Sequence, residues 1–265
     1  MFSTLITGAS SGIGEAFARK LAADGKNLVL VARSEERLAT ICNELGRAHG
    51  IAAQYVALDL TQKGAPLQVF EETARRGLRI EMLINNAGFG AKGEFAALDL
   101  EHQLKMIELN ITALVALTHY YLGPMRKRRK GAIINVASTS GFQSVPYTAV
   151  YAATKAFVLS FSEALWEENR AFDVKVMALC PGVTETNFFA AAGIEPPPMR
   201  AVQSPEAVVA AALKGLERGR SHVISGWSNF LLTEAQRFMP RSLVTRMIGR
   251  ALRPTIKHQR SDVRG

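Results

Sequence analysis

The stretch Met1-Phe2-Ser3-Thr4-Leu5-Ile6-Thr7-Gly8-Ala9-Ser10-Ser11-Gly12-Ile13-Gly14 begins apolar and passes directly into glycines spaced G-x-x-x-G-x-G. A turn of this kind after a strand lets the main chain approach a pyrophosphate, whose charge then faces free N–H groups at a helix N-terminus. Gly8, Ser10, Ser11, Gly12, Ile13 and Gly14 are therefore candidate nucleotide-binding residues. A single glycine-rich turn also serves as an ordinary strand-to-helix connection, so the pattern around it has to decide.

Outward from this turn, runs rich in Val, Ile and Leu alternate with segments of helical periodicity. The runs predict strands near 2–7, 27–32, 53–58, 81–84, 131–137, 174–179 and 222–225. Helices are expected near 12–24, 34–48, 66–76, 100–127, 150–170 and 204–218. Strands buried on both faces between helices make a doubly wound, mostly parallel seven-stranded α/β sheet, the Rossmann arrangement. No linker or repeat interrupts the alternation, so residues 1–226 read as one domain and 227–265 as a C-terminal helical extension.

Composition narrows the class further. A chain of 265 residues that is 48% hydrophobic can bury a full core, and no apolar run approaches the ~18–20 residues that span a bilayer. Met1 to Thr7 leave no room for a leader before the glycine turn, which predicts a cytoplasmic protein. Two cysteines, Cys42 and Cys180, fit a reducing compartment, and the five histidines are too scattered for a metal pair, so no metal is expected. Of the net charge of +9, residues 237–265 carry +7 and residues 126–130 carry +5, leaving −3 for the rest. The basic stretches lack interleaved aromatics, which argues against nucleic acid as a partner.

The second and third strand ends carry the next candidates. Arg33 follows Val31-Ala32 where a dinucleotide fold reads the ribose 2′ position; a guanidinium there suits a 2′-phosphate and points to NADP(H) over NAD(H). The alternative is a solvated cation paired with Glu35 or Glu36. Asp59 could accept from an adenine amino group or cap a turn.

Further motifs follow in order: Asn85-Asn86-Ala87-Gly88, Asn110 within a long helix, Ser138 with Tyr151-x-x-x-Lys155 downstream, and Pro181-Gly182 with Thr184 and Thr186. With the glycine turn they resemble the short-chain dehydrogenases/reductases, in the short-subunit branch, over residues 1 to about 225. The likeness is strongest to a bacterial ketoacyl-reductase-like group, in which Phe89 and Pro240-Arg241-Ser242 recur. It implies that Asn86, Ala87, Gly88, Pro181, Gly182, Thr184 and Thr186 hold the cofactor with Tyr151 and Lys155. It also implies that Ser138, Tyr151, Lys155 and Asn110 are catalytic, Asn110 through a water relay to Lys155. The bland alternative for Asn110 is a buried amide that satisfies a backbone group. Thr139, Ser140 and Tyr147 fall out of the family spacing.

The chemistry asks for such a set. Hydride transfer to a carbonyl creates an alkoxide, which needs a proton donor and an orienting hydrogen bond. Tyr151 would supply the proton, helped toward phenolate by Lys155 one helical turn away, and Ser138 would orient the oxygen.

Phe89, Phe142, Tyr147 and Phe188 are the candidate substrate contacts, with Ser138 at the reacting oxygen, and no Arg or Lys is expected among the aromatics. An uncharged, fairly apolar ketone or aldehyde follows, although such aromatics also pack lids. Phe188 to Met199 reads as that lid. In the extension, residues 242–252 are amphipathic with Arg246, Arg250 and Arg253 opposite the apolar half, and Pro254 is expected to stop the helix. Packing on its own subunit or a neighbour, adsorption to an anionic membrane and nucleic acid compete for that face. A homodimer or homotetramer is expected from the family. The competing class is an NADP-binding protein with weak turnover that acts by attachment; the complete Ser138, Tyr151 and Lys155 set argues against it.

Overall fold

The computed structural model describes residues 1–186, 202–236 and 238–261, those from 254 onward as backbone only. The expected lid and Phe188 lie outside the described residues. Seven strands form one sheet: β1 (Phe2–Thr7), β2 (Leu28–Ala32), β3 (Ala53–Ala57), β4 (Arg79–Asn85), β5 (Gly131–Val136), β6 (Val174–Cys180) and β7 (His222–Ile224). Their order is β3-β2-β1-β4-β5-β6-β7, and every pair is parallel. Leu5 stands beside Val29 on one side and Leu83 on the other, so the chain reverses its direction of winding at β1. A crevice at the carboxyl ends of β1 and β4 is the consequence.

The nine helices among the described residues are α1 (Gly12–Ala23), α2 (Glu35–His49), α3 (Ala65–Arg75), α4 (Leu100–Ile107), α5 (Leu114–Lys127), α6 (Ala149–Asn169), α7 (Pro205–Glu217), α8 (Trp227–Gln236) and α9 (Arg241–Ser261). On one face of the sheet Phe17, Leu21, Leu38, Ile41, Val208 and Leu216 pack against Ile6, Leu30 and Ile134. On the other, Val69, Leu117, Tyr121 and Met125 pack against Leu5, Leu83 and Ile133. Each central strand is thus buried on both sides, which is why its apolar run is continuous rather than alternating. Helix α1 ends as its sequence requires: Gly25, at φ 73°, donates to Ala22 O at 2.9 Å and Lys26 to Leu21 O at 2.9 Å.

Two expectations need correction. The helix expected over 100–127 is two α-helices joined by a π turn at Glu108–Ala113, with Asn110 inside it. A π turn adds about one residue to a single helical turn, a local change of phase that a periodicity read over the whole segment averages out. Pro254 does not stop α9, which continues to Ser261. Proline removes one hydrogen-bond donor, but its fixed φ is itself helical, so the helix can run on past it.

Candidate active site

The glycine turn is held by side chains from β4's end. Asn86 Nδ2 donates to Thr7 O at 2.9 Å and Gly8 O at 3.1 Å, and Thr7 Oγ1 accepts from Asn86 N and Ala87 N, both at 3.0 Å. Gly8 and Gly12 adopt φ 64° and 55°, the left-handed region that favours glycine. A Cβ on Gly14 would meet Gly8 O and lie 2.6 Å from Asn86 Nδ2, so helix α1 must start without a side chain there. Ser11 is the N-cap of α1 yet its side chain makes no capping bond. The first-turn N–H groups are thereby left for an anion.

Above this turn lies a cavity of about 1030 Å³. It is bordered by Gly8, Ser10, Ser11, Gly12 and Ile13, by Arg33 and Asp59, by Asn86, Ala87, Gly88 and Phe89, by Ser138, Tyr151 and Lys155, and by Pro181, Gly182, Thr184 and Thr186. These residues come from all parts of the chain up to 186, and the fold brings them to one space. Gly14 is not on the wall; it acts through the close approach just described. Pro181-Gly182 rests on α8, since a Cβ on Gly182 would stand 2.6 Å from Asn229 Cγ.

At one end, Arg33 is exposed on the cavity wall, and among the described residues no carboxylate lies within ion-pair distance of it. Arg37, one turn into α2, is by contrast committed to both oxygens of Glu15 at 2.8 Å. Asp59 Oδ1 accepts from Thr61 N at 2.9 Å and Thr61 Oγ1 at 2.8 Å, which is the turn-capping alternative realised at the edge of the same cavity.

At the other end stand the three groups with proton chemistry. Lys155 Nζ donates to Val136 O at 2.7 Å and lies 5.7 Å from the centroid of the Tyr151 ring. Ser138 Oγ accepts from Ser140 N at 3.1 Å, and the Ser138 and Tyr151 side chains are hydrogen-bonded. Burial pushes the Tyr151 phenol up to about 12, against a smaller lowering by Ser138, and burial pulls the Lys155 amine down to about 8. The protein groups alone therefore keep Tyr151 protonated, because desolvation dominates; the expected lowering counts Lys155 and the oxidised nicotinamide together.

Asn110 does not line the cavity. Its Nδ2 donates to Phe89 O at 3.0 Å and Thr154 Oγ1 at 3.1 Å, and its Oδ1 accepts from Phe89 N at 3.2 Å. Thr154 Oγ1 in turn donates to Tyr151 O at 2.7 Å. The side chain thus pins the loop after β4 to the helix that carries Tyr151, as the backbone-satisfying alternative has it. A Cβ on Gly88 would stand 2.8 Å from Asn110 Oδ1 and 3.6 Å from Lys155 Nζ, so both groups converge on this glycine.

The substrate end departs most from expectation. Phe142 is off the cavity wall: its ring lies 5.7 Å from that of His222, beside Leu159, Ala178 and Cys180. Tyr147 is also off the wall, with Arg253 beside it. Lys92 does line the cavity, although no cation was expected among the aromatics, and burial lowers its pKa; Lys105 also lines it, but within reach of Asp59 at the Arg33 end, and pairs with Glu101 at 2.7 Å. His102, its ring 4.8 Å from that of Phe89, lines it as well, as do Val145, Thr148 and Leu252. The lysines escaped notice because nothing in their spacing distinguishes them from solvated surface residues. Among the described residues no cluster of His, Cys, Asp or Glu could hold a metal ion, and no helix is long and apolar enough to cross a membrane.

A family model described as short chain dehydrogenase matches residues 3–195. A ketoacyl reductase of Nostoc sp., HetN, is 32% identical over 225 residues, covering 84% of this chain and 77% of its own. A short-chain dehydrogenase from Sphingobium yanoikuyae in complex with NADPH superposes with a TM-score of 0.81 at 34% identity, over 89% of this chain and 94% of that one. The bulky-bulky ketone specific alcohol dehydrogenase from Comamonas testosteroni gives 0.77 at 31% identity, over 89% and 91%.

Proposed function

This chain belongs to the short-chain dehydrogenases, oxidoreductases that interconvert alcohols and carbonyls, and on that premise we propose that it reduces a fairly apolar ketone or aldehyde with NADPH, or runs the reverse oxidation. The observation that carries the reading is that Ser138, Tyr151 and Lys155 meet at the same cavity that begins on the glycine turn. The cofactor-holding residues are those of the turn together with Asn86, Ala87, Gly88, Thr184, Thr186 and Pro181-Gly182. Bound NADPH supplies the hydride and, once oxidised, a positively charged ring.

Tyr151, protonated over the ordinary pH range by its burial, donates its phenolic proton to the substrate oxygen. Ser138 holds that oxygen with a second hydrogen bond. Lys155 steadies the phenolate left behind and holds the nicotinamide ribose, while Asn110 maintains the loop and helix around the route by which Lys155 is resupplied with a proton. Arg33, without an acidic partner, favours the 2′-phosphate of NADPH. Phe89, Val145 and Leu252 suit an apolar substrate body, in line with the bulky ketone named for the Comamonas relative. Lys92 adds a cation, so the original expectation of a wholly uncharged substrate is relaxed to one that tolerates an acidic group.

The protein is proposed to work in the cytoplasm as a homodimer or homotetramer. A membrane contact through the extension is the second reading of its partners, favoured by Trp227 at 78% and Phe238 at 90% exposed beside Arg241, Arg246, Arg250 and Arg253. An attachment-only role is not favoured, because a pure binder has no use for the proton-transfer set.

The reading is tested with Tyr151→Phe, followed at 340 nm on a panel of ketones and aldehydes with NADPH. NADPH binding should persist while kcat/KM falls at least a hundredfold, about 2.7 kcal/mol in the barrier. A loss smaller than tenfold would move the acid elsewhere.

A further inference from the structure

Helix α9 lies beyond the residues the family model matches, yet it reaches the catalytic centre. Val244 on its inner side is only 7% exposed. Five residues on, a Cβ at Gly249 would stand 3.3 Å from Pro146 Cγ, so the helix backbone lies against the proline ring. Leu252 lines the cavity that Ser138 and Tyr151 share, and the Arg253 guanidinium stands near enough to the Tyr147 side chain for its pKa to be raised. All of these contacts except that of Val244 fall on the segment between Ser138 and Tyr151 or on the cavity those residues border.

Tyr147 sits at the centre of the clasp. Its φ of 69° is left-handed, a conformation that a bulky side chain adopts only when its surroundings enforce it. Its carbonyl accepts from Gly93 N at 2.8 Å, and Arg253 of α9 stands beside its side chain. One residue of the loop is thus tied both to the segment after β4 and to the last helix.

We propose that α9 is a built wall of the substrate pocket, in which Leu252 sets the bulk of the carbonyl compound accepted and the packing of Gly249 on Pro146, with Arg253 beside Tyr147, latches the wall to the catalytic loop. The proposal rests on the reading of the cavity as a carbonyl-reducing site and adds the residue that selects within it. The Leu252 side chain carries no ionisable group, so a change in its size alters the shape of the pocket rather than the proton step itself. A side chain larger than leucine at that position takes space from the substrate, and a smaller one returns it.

The test compares a small methyl ketone with a bulky diaryl ketone in the full-length protein, using Leu252→Trp and Leu252→Ala, with NADPH binding followed by fluorescence. Leu252→Trp should lower the bulky-to-small ratio of kcat/KM at least tenfold, Leu252→Ala should raise it, and NADPH affinity should stay within twofold in both. A ratio unchanged in both variants would overturn the wall. The latch is read separately by amide hydrogen exchange: Arg253→Ala should speed exchange at Gly93 and Thr148 at least tenfold and leave β4 and β5 protected, and unchanged exchange at those two amides would overturn it. Wild-type protein inactive on every ketone would count against the carbonyl-reducing reading alone, since the exchange measurement still scores the clasp.

Discussion

At the glycine-turn end of the cavity the decisive contacts are close approaches that leave no room for a Cβ, whereas at the Tyr151 end they are packing contacts of a distant helix. Gly14 stands against Gly8 and Asn86, and Gly8 against Ala87, with no room for a Cβ. Leu252 and Gly249, by contrast, come to the cavity and to Pro146 from more than a hundred residues beyond them in the chain, through contacts that other side chains could make as well. A contact that excludes every side chain leaves a mark in the sequence, because only glycine satisfies it. A contact that merely needs apolar bulk leaves almost none, because many residues satisfy it.

The sharpest way to break this comparison is to make one substitution at both ends. Gly14→Ala forces a Cβ onto a backbone carbonyl and an asparagine that is itself hydrogen-bonded, so something must move. We expect a cost of ~2–3 kcal/mol, seen as a fall of ~5–10 °C in Tm, together with loss of most NADPH binding. Calorimetry and cofactor titration that matched the wild type would mean that the turn is less tightly packed than its contacts indicate.

Arg33→Ala should weaken NADPH by ~1.5–3 kcal/mol, as for a lost charged hydrogen bond, and change NADH by less than ~0.5 kcal/mol. Titration of both cofactors decides it. An equal loss for the two would make Arg33 a structural residue and leave the 2′ position unread.

A pH experiment tests Tyr151 and Lys155, the pair proposed to carry the proton. The folded Lys155 amine, at about 8, lies below its ordinary 10.5, so between pH 8 and 10 the unfolded chain keeps a proton that the folded chain has released. Stability contributed by this group therefore rises with pH across that window. Above pH 10 Tyr151, raised to about 12, reverses the sign, because the folded chain now keeps the proton that the unfolded one loses. Relative to Lys155→Met, the wild type should gain ~1–2 kcal/mol in urea unfolding from pH 8 to 9.5. Parallel profiles would show that Lys155 stays fully charged in the fold.

The smallest effect is expected where the comparison began, at the other glycine. Gly249→Ala gains up to ~1 kcal/mol of helix propensity and sets it against a 3.3 Å approach to the Pro146 ring. The ring can yield by a few tenths of an ångström, so the net change in Tm should stay within ~3 °C. A loss as large as that at Gly14 would show α9 to be packed as rigidly as the nucleotide turn.

Much of the architecture was legible in advance, for identifiable reasons. Strands buried on both faces write continuous apolar runs, and each of the seven was found within about two residues of its observed ends. Spacing along α6 alone puts Tyr151 and Lys155 on one face, and the glycine turn is local by nature. What spacing could not show is how those groups are solvated: that burial keeps Tyr151 protonated follows from the atoms packed around it.

The sequence by itself determined the doubly wound fold, the position of the glycine turn and the candidates Ser138, Tyr151 and Lys155 that the fold brings to one cavity, since each is marked by a local pattern or by a side chain that must be absent. Only the tertiary structure decided that Phe142 turns away to His222, that Asn110 pins Phe89 from within a π turn, that Lys92 and Lys105 border the cavity, and that α9 returns to place Leu252 on its wall. Those four outcomes depend on which distant surfaces meet when the helices settle on the sheet. Packing of that kind is governed by shape and burial summed over many interchangeable side chains, and so it carries no short pattern along the chain.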